Sequence, residues 1–269
     1  MPAHAATCPN SETFDLQRAP GHWVLARLGK RVLRPGGLEA TSILLDSLSV
    51  TSEDRVVEFA PGLGITARRL LARHPASYTG IERDEAAARS LTAKLTSPTA
   101  RFVNAPAQGS GLPGESCDVV VGEALLTMQP VDVKRAIIRE ASRLLAPGGR
   151  FGMHEIALQP EDIPDPVRQE IRARMSQAIH HGVMAQTESE WRALLSGEGL
   201  GDIRVHHVPF RLLEPARLLA DEGFAGALRF AFNLCTMPEA RRRVLQMRRT
   251  FRRHQAHLTA IIMTARKAG

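Results

Sequence analysis

Arg55-Val56-Val57-Glu58-Phe59-Ala60-Pro61-Gly62-Leu63-Gly64-Ile65-Thr66-Ala67 reads as a short buried strand, a glycine turn and the start of a helix. Val56, Val57 and Phe59 have the β-branched and aromatic character of a strand covered on both faces. Gly62 and Gly64 permit a positive φ and a close backbone approach that a side chain would block. Ala67, Arg68, Leu70, Leu71 and Ala72 carry the helix on. A strand that enters a helix through such a turn aims free backbone N–H groups at whatever lies above the strand's end.

The run Gly62 to Ala67 also fits the dinucleotide fingerprint G-x-G-x-x-G/A. Glu58 separates the two readings. A carboxylate there would repel a pyrophosphate, but it accepts hydrogen bonds from a cationic amino-acid end. With that acid, the stretch Glu58-Phe59-Ala60-Pro61-Gly62-Leu63-Gly64 resembles the first motif, acid-x-Gly-x-Gly-x-Gly, of the class I S-adenosylmethionine-dependent methyltransferases. Ala60 stands where that motif has its first glycine.

Outward from the turn, strands and helices alternate. Strands are expected at Ser77 to Glu82, Arg101 to Asn104, Cys117 to Val121 and Arg150 to Leu158. Helices are expected at Asp84 to Leu95 and Pro130 to Leu145. Such alternation implies a parallel sheet with right-handed crossovers. Two helices, around Trp23 to Leu33 and Leu38 to Leu48, precede the first strand. After Leu158 come a proline-interrupted polar helix, Val167 to His181, and a helix from Thr187 with Glu190 placed to complete its cap. Strands at Asp202 to Leu213 and His257 to Ala265 close the pattern, and Glu214 to Ala256 between them is a long helical insertion. The expected fold is therefore α/β: a doubly wound, Rossmann-like, seven-stranded and mostly parallel sheet. Residues 1–50 supply helices over the cofactor site. Residues 51–269 form the methyltransferase domain, with insertions at about 160–190 and 214–256 as a lid.

Several further stretches carry the same resemblance, in the same order. Glu82 ends the second strand, where the family's acid accepts hydrogen bonds from ribose hydroxyls. Arg83 lies beside it, with a solvated surface role also open. Asn104 and Ala105 end the third strand, where the family often has an aspartate for the adenine amino group; a plain turn residue is an equally open reading of Asn104. Leu112-Pro113 to Asp118-Val119-Val120 is similar to the family's Leu-Pro…Asp-Val-Val segment. Gly122-Glu123 opens the loop that borders the methyl group, and Leu144 to Arg150 matches the Leu-Lys-Pro-Gly-Gly turn. The resemblance covers roughly residues 54–158. It implies S-adenosylmethionine as cofactor, held by Glu58, Ala60, Gly62, Gly64, Glu82, Arg83, Asn104, Ala105 and Glu123.

The substrate side is less defined. His154 and Glu155 on the fifth strand are candidate proton-handling residues, because an imidazole that titrates near neutrality suits proton removal; a hydrogen-bonded structural histidine is the alternative. His22, Trp23, His180 and His181 are candidates to close over the substrate. Phe224 and Phe232, two helical turns apart, could line its pocket or simply pack in a core. Cys8, Cys117 and Cys235 make no Cys-x-x-Cys pair, and no ligand spacing supports a metal. Cys117 reads as a packed residue.

Residues 1–200 hold 22 Lys+Arg against 23 Asp+Glu, whereas residues 201–269 hold 13 against 5. The basic excess thus belongs to the C-terminal part, above all to Arg241, Arg242, Arg248, Arg249, Arg252 and Arg253. Such a run is usually a solvated face, but it could grip nucleic acid or an acidic membrane surface. The expected function is methyl transfer to a small, partly hydrophobic molecule by in-line displacement. An RNA methyltransferase, or a cofactor-binding protein without methyl transfer, are the alternatives. No apolar run approaches a membrane span and no signal peptide is evident, so a cytoplasmic location without integral membrane association is expected. A homodimer is compatible with the sequence.

Overall fold

The computed structural model describes residues 14–269; Cys8 lies outside them. Its sheet is built from β1 (Arg55–Phe59), β2 (Ser77–Glu82), β3 (Ala100–Asn104), β4 (Cys117–Glu123), β5 (Leu145–Leu158), β6 (Gln186–Thr187), β7 (Leu200–Pro209) and β8 (Leu258–Lys267). The order is β3-β2-β1-β4-β5-β8-β7, with β6 paired to the end of β5. β8 runs antiparallel to both neighbours, and the other pairings are parallel. The expected seven strands are all present. The eighth, β6, is two residues long, too short to leave any alternation in the sequence.

Strand order reverses between β1 and β4, and that switch point opens a crevice at the strands' carboxyl ends. Val56, Glu58 and Tyr78 face one side of the sheet. There α2 (Gly37–Leu48), α3 (Ile65–Leu71) and α4 (Glu85–Lys94) cover a core that includes Leu44, Leu70, Val119 and Ile262. Val57, Phe59 and Val120 face the other side, with α5 (Val131–Leu144) and α7 (Glu188–Gly197), around fully buried Trp191. α7 starts with the expected capping box: Thr187 and Glu190 bond each other's backbone N–H groups.

A third apolar cluster lies above the crevice. It joins α1 (Gly21–Arg27), α6 (Asp165–Ile179), α8 (Pro215–Thr236) and α9 (Pro238–Arg253). The long insertion is therefore a hairpin of two helices. Inside α8, Gly223 has φ 71° and ψ 174°, a kink that resets the helical phase. Two acids just before the kink, Asp221 and Glu222, are buried and pin the hairpin to the segment that joins α1 to α2. Lys30 lies 3.4 Å from Asp221, and Glu222 accepts from the N–H groups of Arg31 and Val32, each at 2.8 Å.

Candidate functional site

The turn after β1 is left-handed at three alternate positions: Ala60 (φ 52°), Gly62 (φ 56°) and Gly64 (φ 75°). Ala60 thus adopts the backbone of the glycine it replaces. A Cβ on Gly62 would meet nothing nearer than the Ala60 carbonyl at 3.8 Å, so the space above this turn is open. Glu82, at the end of β2, faces the turn. Its carboxylate accepts from the N–H groups of Gly62 (3.3 Å) and Asp84 (3.1 Å). Burial pushes its pKa up, and those two N–H groups oppose the shift. Asn104 donates from its amide nitrogen to the carbonyls of Glu82 and Arg83, which leaves its amide oxygen free to accept. The Ala105 N–H bonds the Glu82 carbonyl, and the Arg83 side chain is exposed.

Glu58 and Glu123 end adjacent strands yet are held in opposite states. Glu58 is buried and accepts one short hydrogen bond, from the Tyr78 hydroxyl at 2.6 Å. Burial dominates and pushes its pKa up to about 8, against the pull of Tyr78. Glu123 is equally desolvated, but its neighbours prevail: Arg34, His154 and Thr41 hold it down at about 2. Arg34 reaches it at 2.7 Å, Thr41 at 2.8 Å and Thr66 at 3.0 Å, and Arg34 also bonds Thr66. Arg34, which the sequence reading did not single out, is the central cation of the crevice. Its position just before the Pro35-Gly36-Gly37 break was the only signal.

His154 and Glu155, the expected proton handlers, have their polar atoms fully engaged. The Gly36 N–H donates to His154 Nε2 at 3.0 Å, so the proton sits on Nδ1, 3.3 Å from Glu123. Glu155 accepts from the N–H groups of Leu125, Leu126 and Thr127 and from the Thr127 hydroxyl, at 2.7 to 2.9 Å. It thereby fixes the loop that follows β4. Behind that loop Lys134 bonds the Met184 carbonyl and sits 4.8 Å from the centre of the Trp191 ring. Burial lowers the Lys134 pKa to about 8, although nearby Glu155 favours the charge.

Between this loop and the helical layer lies an apolar cavity of about 70 Å³. Leu33, Met128, Ile156, Met175, Phe210 and Phe251 are among its walls, and its polar lining is His22, Thr127 and Glu155. His22 Nδ1 is buried without a hydrogen-bond partner. Burial first, then the charges of His181 and Arg83, lower its pKa to about 4, so the ring is neutral at physiological pH. The His181 ring is 6.4 Å from that of His22, at its edge. Trp23 is buried beside His22 at 5.0 Å but does not line the cavity, and His180 is an exposed residue that ends α6.

Phe224 and Phe232 correct the expectation placed on them. They neither line the cavity nor pack in a core; they are 77% and 65% exposed. After the Gly223 kink the inward face of α8 belongs to Gly226 and Phe230 instead. Cys117 is in the core as expected, its thiol pushed up to about 12 by burial.

A parallel sheet with its switch point at an acid-flanked glycine turn defines the class. The methyltransferase domain family matches residues 56–149. An uncharacterized protein of Haemophilus influenzae is 31% identical over 252 residues, 90% of this chain and 96% of its own. The 27-O-demethylrifamycin SV methyltransferase of Amycolatopsis mediterranei is 30% identical over 172 residues, 60% of this chain and 61% of its own. Phosphoethanolamine N-methyltransferase 2 of Haemonchus contortus, solved with S-adenosylhomocysteine, superposes with a TM-score of 0.73 at 14% identity. That match takes in the whole of this chain and 62% of the nematode protein. This chain belongs to the class I S-adenosylmethionine-dependent methyltransferases, and S-adenosylmethionine is its cofactor. The site suits that cofactor: an open left-handed turn, a buried acid with acceptor capacity to spare, and a second buried carboxyl at the end of β1.

Proposed function

We propose that this enzyme transfers the cofactor's methyl group to a small, at least partly hydrophobic molecule bound in the cavity beside the β4 loop. One observation carries the reading: an apolar cavity whose side-chain polarity includes an imidazole nitrogen, on His22, with no partner. A buried polar atom left unpaired costs free energy unless a ligand satisfies it.

When bound, the cofactor supplies a sulfonium-activated methyl group, and the protein's tasks are to bind, orient and exclude water. In this reading Glu82 accepts from the ribose hydroxyls. The turn Ala60 to Gly64 gives the cofactor close access to backbone, and Asn104 and Ala105 border its base. Glu58 and Glu123 flank its amino-acid end and methyl group. His22 accepts a hydrogen bond from the substrate's hydroxyl or amine and orients that atom, with His181 at its edge. His154 and Glu155 act through position: His154 orients Glu123, and Glu155 holds the β4 loop as one wall of the cavity. Correct orientation of two reactants can supply about 7–11 kcal/mol of a barrier.

The test is methyl transfer from labelled cofactor into cell extract, with the product identified by mass. His22→Phe keeps the apolar bulk and removes the acceptor. We expect kcat/KM to fall by about 10²-fold or more with the affinity for S-adenosylhomocysteine unchanged. Unchanged kcat/KM for the identified substrate overturns the role of His22, and a hydrophilic product that does not compete with apolar ligands overturns the assignment of the cavity.

A further inference from the structure

We propose that the α8–α9 hairpin docks the enzyme on the surface of an anionic lipid bilayer. The first observation is an exposed apolar ridge. Phe224, Leu228 and Phe232 follow one another at four-residue spacing and are 77%, 61% and 65% exposed. Four residues are a little over one helical turn, so the three lie on one face. Gly226 and Phe230 fill the opposite face and are buried. Beyond the kink α8 is thus apolar on both sides, the pattern of a helix with a second partner. Leu245 on α9 adds a further large apolar side chain in the open.

The second observation is charge. Val244, Met247 and Phe251 turn inward on α9, so Arg242, Arg249 and Arg253 point away from the body and are exposed. None of the three has an ion pair among the described residues. All but one of the acids of the hairpin are already committed to cations. Glu214 holds Arg248 and Arg252, Asp221 and Glu222 are buried against Lys30 and Arg31, and Glu239 accepts from Gln17. The exposed side chains of the hairpin are therefore mainly apolar and basic, and Glu239 is the one acid of the hairpin that no cation holds among the described residues.

These two features together select the occupant. A second copy on this face would bring the same unpaired arginines toward one another across a two-fold contact. Nucleic acid would satisfy the arginines and leave Phe224, Leu228 and Phe232 in water. An anionic bilayer satisfies both: the large apolar side chains enter the boundary between headgroups and acyl chains, and the guanidinium groups meet lipid phosphates. Among the described residues no helix is long and apolar enough to cross a membrane, so the contact is peripheral. Met247 and Phe251, on the inner face of α9, also wall the cavity. The same hairpin would then bring the cavity to the bilayer surface.

Flotation of the full chain with vesicles tests this. One set is phosphatidylcholine alone and the other contains about one third phosphatidylglycerol. We expect binding to the anionic vesicles, roughly tenfold or more above the neutral ones, and loss of most of it in high salt. Phe224→Ser with Phe232→Ser, and separately Arg242→Glu with Arg249→Glu, should each weaken binding about tenfold or more. Both sides of these substitutions are in solvent, so thermal stability and affinity for S-adenosylhomocysteine should not change. Three results overturn the proposal. They are no enrichment on anionic vesicles, a dimer in light scattering that the phenylalanine variant dissolves, and RNA binding tighter than vesicle binding that only the arginine variant loses.

Discussion

The crevice at the end of the sheet and the hairpin above it handle charge in opposite ways. In the crevice Glu58, Glu82, Glu123, His154 and Glu155 are mostly buried, and each is held by at least one named hydrogen bond. In the hairpin most charges point outward, and the inner surface is apolar apart from Asp221, Glu222 and Arg243. The difference teaches which part of the molecule is set in advance. A network of buried hydrogen bonds has one good arrangement, so the proposed cofactor end is preorganised. An apolar wall accepts any shape of suitable volume, so the proposed substrate end is where relatives on the same fold can diverge.

The sharpest way to break that contrast is to open the crevice network at its cation. Arg34→Ala leaves Glu123 charged and buried without its partner. That should cost about 3–5 kcal/mol of stability in urea unfolding. Arg34→Met with Glu123→Gln should recover much of the loss, because the uncompensated charge is gone. A single variant that loses less than about 1 kcal/mol would mean that the pair behaves like an ordinary surface ion pair. Next in size is Glu82→Ala, which removes an acid that two backbone N–H groups only partly satisfy. S-adenosylhomocysteine should bind about 10- to 100-fold more weakly in calorimetry, with thermal stability near that of the parent. Full affinity in the variant would remove Glu82 from the cofactor site.

The same contrast explains what the sequence made legible. Strand, turn and acid around Glu58 to Gly64 sit within seven residues, so local spacing states the geometry. Glu82 and the Leu144 to Arg150 turn are equally local. The sheet followed from alternating apolar segments, and every expected strand formed within a few residues of its bounds. Arg34 was hidden because its importance is long-range: it meets Glu123 across 89 positions of chain. His154 stayed open between a base and a structural histidine because a sequence does not show that the Gly36 N–H occupies its Nε2. Phe224 and Phe232 misled for a different reason. Helical spacing predicts that they share a face, which they do, but a single left-handed glycine decides whether that face turns in or out.

An effect smaller per pH unit separates two of the buried carboxyls of the crevice, Glu58 and Glu123. Glu58 has a folded pKa of about 8 against an ordinary 4.5, because burial disfavours its charge. Below about 4.5 it is protonated in both the folded and the unfolded chain and contributes nothing to the pH dependence. Between about 4.5 and about 8 the unfolded chain ionises it while the folded chain keeps the proton. Stability therefore falls as pH rises through that window, by at most about 1.4 kcal/mol per pH unit from this group. Glu82 is shifted the same way and adds to the trend. Glu123, held at about 2, has the opposite sign: its contribution is present above about 4.5 and is lost as pH falls toward 2. Glu58→Gln keeps an acceptor for Tyr78 and cannot ionise. Urea unfolding of parent and variant across the neutral range should show a shallower fall for the variant, with the acid limb below 4.5 unchanged. Parallel curves through the neutral range would mean that Glu58 is already ionised in the folded enzyme, and that Tyr78 and Arg34 together outweigh its burial.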